Sequence, residues 1–183
     1  MTLFKNKFSV FYFALLIAIV FSSCRAHKET TSTSTEKTSV SKTNKIKNKY
    51  AGILKVDEGK IGNVKLYSFI DEWYGIPYKY GGKDKKGIDC SNFASTLYSN
   101  VYSKPLTGTS SSIFDQCKAV SKSNLEEGDL VFFKIDGDNI SHIGVYLQNN
   151  KFVHATTKKG VMIDDLDEEY YKKYYYKGGR VKN

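Results

Sequence analysis

Two stretches in the middle of the chain carry the spacing of helices that are apolar on one face. In the first stretch, apolar residues recur at intervals of three and four positions: Leu66, Phe69, Ile70 and Trp73. Gly75 and Pro77 predict the end of this helix. The second helical pattern starts at Cys90 and continues through Phe93, Ala94, Leu97, Tyr98 and Val101. Both patterns indicate amphipathic helices that bury one face.

Further along the chain the apolar period changes to two, which is typical of strands. The predicted strands are Asp129–Ile135, Ser141–Gln148, Lys151–Thr157 and Gly160–Leu166. Asp167–Tyr174 predicts a helical turn, and Gly179–Lys182 predicts a last strand at an edge of the sheet. Helices followed by a run of antiparallel strands indicate the α+β class.

The N-terminal end predicts an export signal. Lys5 and Lys7 precede an uncharged, mostly apolar run that stops just before Cys24. This run is shorter than the roughly 20 residues of a membrane span, and its length is typical of a signal peptide. Small residues directly before a cysteine favour a lipoprotein signal, although a plain secretory signal would place small residues there too. We therefore expect residues 1–23 to be a lipoprotein signal peptide and Cys24 to carry the lipid.

The segment behind Cys24 is rich in Ser, Thr, Lys and Asn and carries few apolar residues. Such a composition does not bury enough surface to offset the entropy of ordering. We predict that residues 24–58 form a disordered tether and that residues 59–183 form the single folded domain.

The formal net charge of +9 suggests an acidic partner such as a membrane surface, a nucleic acid or an anionic polymer. Solubility together with a basic tail would explain the same charge. The basic residues do not form the aromatic-spaced motif of an RNA-binding protein, so we expect no nucleic acid partner.

Asp89-Cys90-Ser91 lies where a loop meets the second predicted helix. The first turn of a helix offers unpaired N–H groups and a positive dipole end, which lower the pKa of a thiol and can hold an oxyanion. Alternatively, Asp89 is an ordinary N-cap and Cys90 an inert buried residue. Cys90 and Cys117 could also pair as a disulfide, but we expect Cys90 to be free and Cys117 to be a small buried hydrophobe.

Two of the three histidines, His142 and His154, flank one predicted hairpin, while His27 lies in the predicted tether. An unbulged two-residue turn at Asn149-Asn150 would place them on opposite faces of the sheet. A three-residue loop or a bulge would pair Val145 with Val153 and Ile143 with Ala155, and both histidines would share the other face. Since cross-strand neighbours are alike in burial, we predict the second register.

A reactive cysteine beside two histidines is a candidate nucleophile, base and orienting group. A metal site built from Cys90, Cys117 and the two histidines is a weaker reading, because no short paired-ligand spacing occurs. We expect neither a metal nor an organic cofactor.

Several blocks of sequence, in one order, resemble the NlpC/P60 peptidase signature, and their layout is most similar to the Spr (MepS) group of murein endopeptidase lipoproteins. The resemblance covers about Leu66 to Val181. The blocks are Gly75-Ile-Pro-Tyr78-Lys-Tyr-Gly81-Gly82, Gly87-Ile-Asp-Cys90-Ser91-Asn-Phe93, Gly128-Asp-Leu-Val-Phe-Phe133, Ser141-His142-Ile-Gly144-Val-Tyr146 and Phe152-Val-His154-Ala155.

This resemblance implies a papain-like α+β fold in which the nucleophile helix packs against a small antiparallel sheet. It implies that Cys90 is the nucleophile, His142 the general base and acid, and His154 the residue that orients His142. Tyr78 would assist the oxyanion.

At two further positions, Asp89 and Ser91, the resemblance implies contact with the substrate peptide. Asn92 stands where the family usually has Gly, so we expect altered substrate contacts there.

The implied activity is that of a cysteine endopeptidase acting on peptidoglycan stem peptides or cross-links, at a D-Ala–mDAP or a γ-D-Glu–mDAP bond. A non-catalytic wall-binding module and an interbacterial toxin on the same fold are the alternatives. We expect a monomer whose partners are peptidoglycan and, through the lipid, a membrane. The expected location is the cell envelope, at the outer membrane facing the periplasm.

Overall fold

A computed structural model describes residues 32–182 of the chain, and the side chains of residues 39–182. The predicted signal peptide 1–23, lipidation of Cys24 and His27 lie outside the described residues. The residues from Ser41 onwards form one compact unit, and the described residues 32–40 belong to a separate one. The helices are α1 Ser32–Leu54, α2 Val64–Trp73, α3 Cys90–Leu97, α4 Ser110–Asp115 and α5 Glu169–Tyr174. The strands are β1 Lys83–Asp84, β2 Gly87–Ile88, β3 Cys117–Val120, β4 Leu130–Phe133, β5 His142–Tyr146, β6 Lys151–Thr156, β7 Gly160–Asp165 and β8 Tyr175–Val181.

Six strands form one antiparallel sheet in the order β3-β8-β4-β5-β6-β7, and β1 pairs with β2 in a short separate ribbon. This helix-plus-sheet arrangement confirms the predicted α+β class. The two helices predicted from apolar spacing are α2 and α3, and the four strands predicted from alternation are β4 to β7.

The last strand is not at an edge, as Gly179–Lys182 was expected to be. β8 lies between β3 and β4, and β3 forms that edge of the sheet. The sequence pattern of β3 is weak because Lys118 and Ala119 are both exposed, so only backbone pairing with β8 identifies it as a strand.

Each face of the sheet is covered by different helices. α3 packs against β5 and β6, and the apolar side chains of that face join those of α2 in the main core. Phe133, Phe152 and Tyr171 belong to a smaller apolar cluster, in which Tyr171 comes from α5. Helix α3 and the strands β5 and β6 are thereby held next to one another.

The predicted tether 24–58 is wrong over much of its length, because α1 is a helix and its C-terminal half belongs to the folded unit. Ile46, Tyr50 and Leu54 are buried at intervals of four residues. The Tyr50 ring lies 5.1 Å from that of Tyr67 in α2. Lysines and asparagines lie between these apolar positions, so the sequence does not show a clearly apolar helix face. The four-residue spacing becomes meaningful only when the surface that covers it is known. The folded unit therefore starts near residue 41 and not at residue 59.

The β5–β6 hairpin combines a tight turn with one extra residue. Lys151 N–H donates to the Gln148 carbonyl across Asn149 and Asn150, which both have positive φ. Leu147 N–H donates to the Lys151 carbonyl, so Lys151 faces both Leu147 and Gln148, as in a β-bulge.

Beyond this bulge Val145 pairs with Val153. The predicted register, with an odd residue in the loop, is confirmed.

Cys90 and Cys117 are both free and buried, as predicted. The Cys117 thiol donates to the Ile113 carbonyl at 3.3 Å. Within the described part of the chain, no helix is long and apolar enough to cross a membrane.

Candidate active site

Cys90 is the first residue of α3, and its thiol is buried. Its Sγ lies 3.8 Å from the Ser110 hydroxyl at the start of α4. Burial raises the pKa of the Cys90 thiol, while hydrogen bonds from Ser110 and from the backbone at Ile143 and Ser91 oppose that increase. The lowered pKa expected from the helix terminus is therefore wrong, because loss of solvation outweighs the donors. The raised pKa favours the neutral thiol form of Cys90.

Asp89 is the N-cap of α3, and its carboxylate is fully engaged within the protein. One oxygen accepts from Asn92 N–H at 2.7 Å and from the Ser91 hydroxyl at 2.9 Å. The other accepts from Gly81 N–H at 2.9 Å and from the Asn92 side-chain amide at 2.8 Å. These bonds connect the glycine-rich loop at Gly81 to the first turn of α3. Asn92, which stands where the resemblance expects Gly, thus contributes a fourth bond, and contact of Asp89 and Ser91 with substrate stays a prediction.

The two histidines are hydrogen-bonded to each other. His142 Nε2 and His154 Nδ1 are 2.7 Å apart, and the two rings meet edge to face. Burial and the neighbouring His154 hold the pKa of His142 well below its usual value, and burial lowers the pKa of His154. Both rings are therefore neutral near pH 7, which suits a base.

On its far side His154 meets two residues that the sequence analysis did not single out. Its Nε2 lies 3.0 Å from Asp164 Oδ2, and the same oxygen accepts from the Tyr171 hydroxyl at 2.6 Å. Asp164 is on the same face of the sheet as His154, since His154 pairs with Met162 two positions away. The predicted alternation in β7 contains that signal, whereas the approach of Tyr171 depends on the packing of α5.

Tyr78 lines a cavity of about 520 Å³ together with His142 and His154. Burial, followed by the nearby Cys90 and Asp89, raises the pKa of Tyr78 to about 12. Its hydroxyl therefore keeps its proton at neutral pH and can donate a hydrogen bond. A separate cavity of about 570 Å³ between Tyr98 and Arg180 contains none of the candidate catalytic residues.

The structure places the predicted residues in one region, but not all of them are in direct contact. The Cys90 thiol is hydrogen-bonded to the backbone of Ile143, the residue directly after His142. Among the residues described, no hydrogen bond joins the Cys90 thiol to the His142 ring, whose bonded partner is His154. Such pairs are often loose without substrate and tighten when it binds. Over residues 32–182, no group of three or more His, Cys, Asp or Glu is arranged to hold a metal ion.

Comparison with known proteins identifies relatives along most of the chain. The sequence profile of the NlpC/P60 family matches residues 75–180. The chain is 33% identical over 175 residues to an Escherichia coli protein named murein DD-endopeptidase MepS/murein LD-carboxypeptidase, covering 92% of this chain and 89% of that one. It is 40% identical over 121 residues to a probable endopeptidase NlpC homologue of Haemophilus influenzae, covering 66% of this chain and 64% of that protein. The crystal structure of an NlpC/P60 family protein from Bacillus cereus superposes with a TM-score of 0.60 at 27% identity, over 64% of this chain and 39% of that one.

Proposed function

Because the chain belongs to the NlpC/P60 family, we propose that it is a cysteine endopeptidase that hydrolyses the peptide part of peptidoglycan. The observation that carries this proposal is a free, buried Cys90 at a helix start beside a hydrogen-bonded pair of neutral histidines. The printed names of relatives that span most of the chain, above all murein DD-endopeptidase, support the substrate class.

In the first chemical step, Cys90 supplies the nucleophile and His142 the base. The proton of the Cys90 thiol passes to the Nδ1 of His142, which is the ring nitrogen not engaged by His154. The resulting thiolate attacks the scissile carbonyl carbon and forms a tetrahedral intermediate. Backbone N–H at Cys90 and the Tyr78 hydroxyl stabilise its oxyanion.

In the second step, the His142 imidazolium returns its proton to the leaving amine, and the C–N bond breaks to leave a thioester on Cys90. A water molecule, deprotonated by His142, then attacks the thioester carbonyl. Collapse of that intermediate releases the acid and restores the thiol. No cofactor enters either step.

The bond that we propose is the D-Ala–mDAP cross-link between stems, with the γ-D-Glu–mDAP bond within a stem as the second candidate. The layout of the sequence blocks and the printed name of the Escherichia coli relative favour the cross-link.

Digestion of purified murein tests both the activity and the bond. Mass spectrometry of the muropeptides should show loss of cross-linked dimers in favour of monomers, whereas cleavage within a stem would shorten the peptides instead. Cys90→Ala and His142→Ala should abolish either product. If the wild type yields neither product and binds murein as tightly as Cys90→Ala, the domain is a binding module and not an enzyme.

We also propose that Cys24 anchors the protein to a membrane through lipid, facing the periplasm from the outer membrane. The apolar run that ends at Ser22-Ser23-Cys24 supports this. Incorporation of labelled palmitate into the wild type, and its absence from Cys24→Ser, is the expected result. Equal labelling of the two would contradict it.

A further inference from the structure

We propose that Asp164 and Tyr171 are positioning residues that fix which ring nitrogens of His154 and His142 carry protons. The catalytic consequence rests on the proposed function, but the proton arrangement itself does not.

Asp164, Tyr171 and His154 form a compact, shielded contact. The His154 side chain is 1% exposed and that of Asp164 is 12% exposed. Asp164 Oδ2 lies 3.0 Å from His154 Nε2 and accepts the Tyr171 hydroxyl at 2.6 Å, while the same hydroxyl is 3.4 Å from His154 Nε2. Tyr171 belongs to α5, so the contact joins that helix to the β6–β7 pair.

The protonation of Asp164 determines the protonation of its neighbour. Burial raises the pKa of Asp164, but hydrogen bonds from His154 and Tyr171 bring it below its usual value, so the carboxylate is ionised. An ionised oxygen at 3.0 Å needs a donor opposite it, which places the single proton of neutral His154 on Nε2. The Tyr171 hydroxyl points its proton at Asp164, because the 2.6 Å contact is shorter than its contact with His154.

The tautomer of His154 then determines that of His142. With its proton on Nε2, His154 presents a lone pair at Nδ1, which lies 2.7 Å from His142 Nε2. His142 therefore donates from Nε2 and keeps the lone pair on Nδ1. That lone pair is the acceptor for the Cys90 proton in the proposed reaction, and the opposite tautomer would leave no base.

The charge of Asp164 also supports the transient imidazolium. It raises the pKa of both histidines against the effect of burial. The other titratable side chains that line the same cavity are Tyr78, Asp136, Lys158, Lys159, Glu168 and Tyr170. Among these, Lys159 lowers the pKa of Asp164 and so helps to keep it ionised.

Three variants of the full chain test the proposal: Asp164→Asn, Tyr171→Phe and, as a control, Asp165→Asn. Asp165 is the next residue of β7 and is paired with Lys151, so its replacement removes the same charge without touching His154. We expect Asp164→Asn to lower kcat on murein roughly 10- to 100-fold with little change in KM, less than the about 10⁴-fold cost of a wrong tautomer in a serine protease triad. We expect Tyr171→Phe to lower kcat about threefold to tenfold. The acid limb of the pH–rate profile should move to lower pH in Asp164→Asn.

Two readouts need no substrate, and they separate failure of this proposal from failure of the proposed function. Alkylation of Cys90 by iodoacetamide at pH 7, mapped by peptide mass spectrometry, should slow about tenfold in Asp164→Asn, since the imidazolium that accompanies the thiolate loses its counter-charge. Imidazole ¹⁵N chemical shifts should show protonated Nε2 on both histidines in the wild type, and a mixture of tautomers on His154 in Asp164→Asn.

If Asp164→Asn matches Asp165→Asn in alkylation rate and in ¹⁵N shifts, the proposal is wrong. If Asp164→Asn does not fold, the ¹⁵N shifts of the wild type decide, because a proton on Nδ1 of His154 would overturn the proposal. If the wild type does not cleave murein but the alkylation rate and the ¹⁵N shifts change as expected, the proposed proton arrangement is correct and the proposed function is wrong.

Discussion

Ser110 is the side chain placed against the Cys90 thiol, although nothing in the spacing of the sequence connects the two residues. It is buried at the start of α4, with its hydroxyl 3.8 Å from Cys90 Sγ. Its hydrogen bond lowers the pKa of Cys90 against the larger effect of burial.

Replacing Ser110 should therefore make the Cys90 thiol harder to ionise. We expect Ser110→Ala to move the pH profile of Cys90 alkylation to higher pH and to slow alkylation at pH 7 about threefold to tenfold, the equivalent of one hydrogen bond. Ser111→Ala is the matched control, because Ser111 is exposed in the same helix. Equal rates for the two variants would show that Ser110 does not act on the thiol.

The buried histidines predict a loss of stability in mild acid. Both have a pKa below the usual 6.5 in the folded chain, so below about pH 6.5 the unfolded chain binds protons that the folded chain does not. Stability is then fully present above pH 6.5 and falls as the pH decreases, by up to about 1.4 kcal/mol per pH unit for each histidine. Urea unfolding at pH 7.5, 6.5 and 5.5 measures this slope. In the double variant His142→Gln/His154→Gln, the free energy of unfolding should depend less on pH. An unchanged slope would show that the two histidines do not cause the loss of stability in acid.

At the residue scale, the sequence predicted which side chains lie near one another better than it predicted their pKa values. Cys90, His142 and His154 follow from local motifs and from strand register. Their pKa directions depend on burial by α3, α4 and α5, which no short stretch of sequence contains. For the same reason the helix terminus alone suggested the wrong direction for Cys90.

The β5–β6 hairpin is the element that brings the histidines together, and Gly144 is its tightest point. A Cβ at this position would lie 2.5 Å from Phe152 Cδ2 and 3.0 Å from the Val153 carbonyl oxygen. The Phe152 ring in turn packs 4.5 Å from the His154 ring. A side chain at Gly144 therefore has to displace the Phe152 ring, which packs against His154.

We expect Gly144→Ala to lower the free energy of unfolding by about 1–3 kcal/mol and to reduce murein hydrolysis. Gly52→Ala is the control, since its added Cβ meets nothing within 4 Å in the helix α1, and it should stabilise the protein by about 0.5–1 kcal/mol. Urea denaturation of both variants gives the comparison. An unchanged free energy of unfolding in Gly144→Ala would mean that the Phe152 ring moves aside without destabilising the protein.

Strong local periodicity made most elements predictable from the sequence. Leu66 to Trp73 predicted α2, and the alike burial of Val145 and Val153 predicted the bulged register. β3 and α4 were missed because their exposed residues outnumber the buried ones, so partners distant in sequence define them.

The folded unit as a whole includes the second half of α1, which the composition of the segment concealed. Tyr50 and Leu54 are fully buried. Asn149 of the hairpin donates to the Leu54 carbonyl at 2.9 Å. The end of α1 is therefore attached to the element that carries the histidines.

Truncation distinguishes the two domain boundaries. A chain of residues 41–183 should unfold cooperatively near the stability of the full chain. A chain of residues 59–183 loses Ile46, Tyr50 and Leu54, each contributing about 1.5–3 kcal/mol when buried, and should be destabilised by several kcal/mol or fail to fold. Thermal unfolding followed by circular dichroism measures both. Equal melting temperatures would restore the boundary at residue 59.

The burial that keeps Cys90 as a thiol has a consequence for the chemical lifetime of the protein. Peroxides and disulfides react with thiolates, and oxidation of a cysteine beyond the sulfenic acid is irreversible in most proteins. Because burial raises the pKa of Cys90, the thiol presents little thiolate to oxidants between turnovers. For a protein that is exported as we propose, slower oxidation of Cys90 would lengthen the time over which the enzyme stays active.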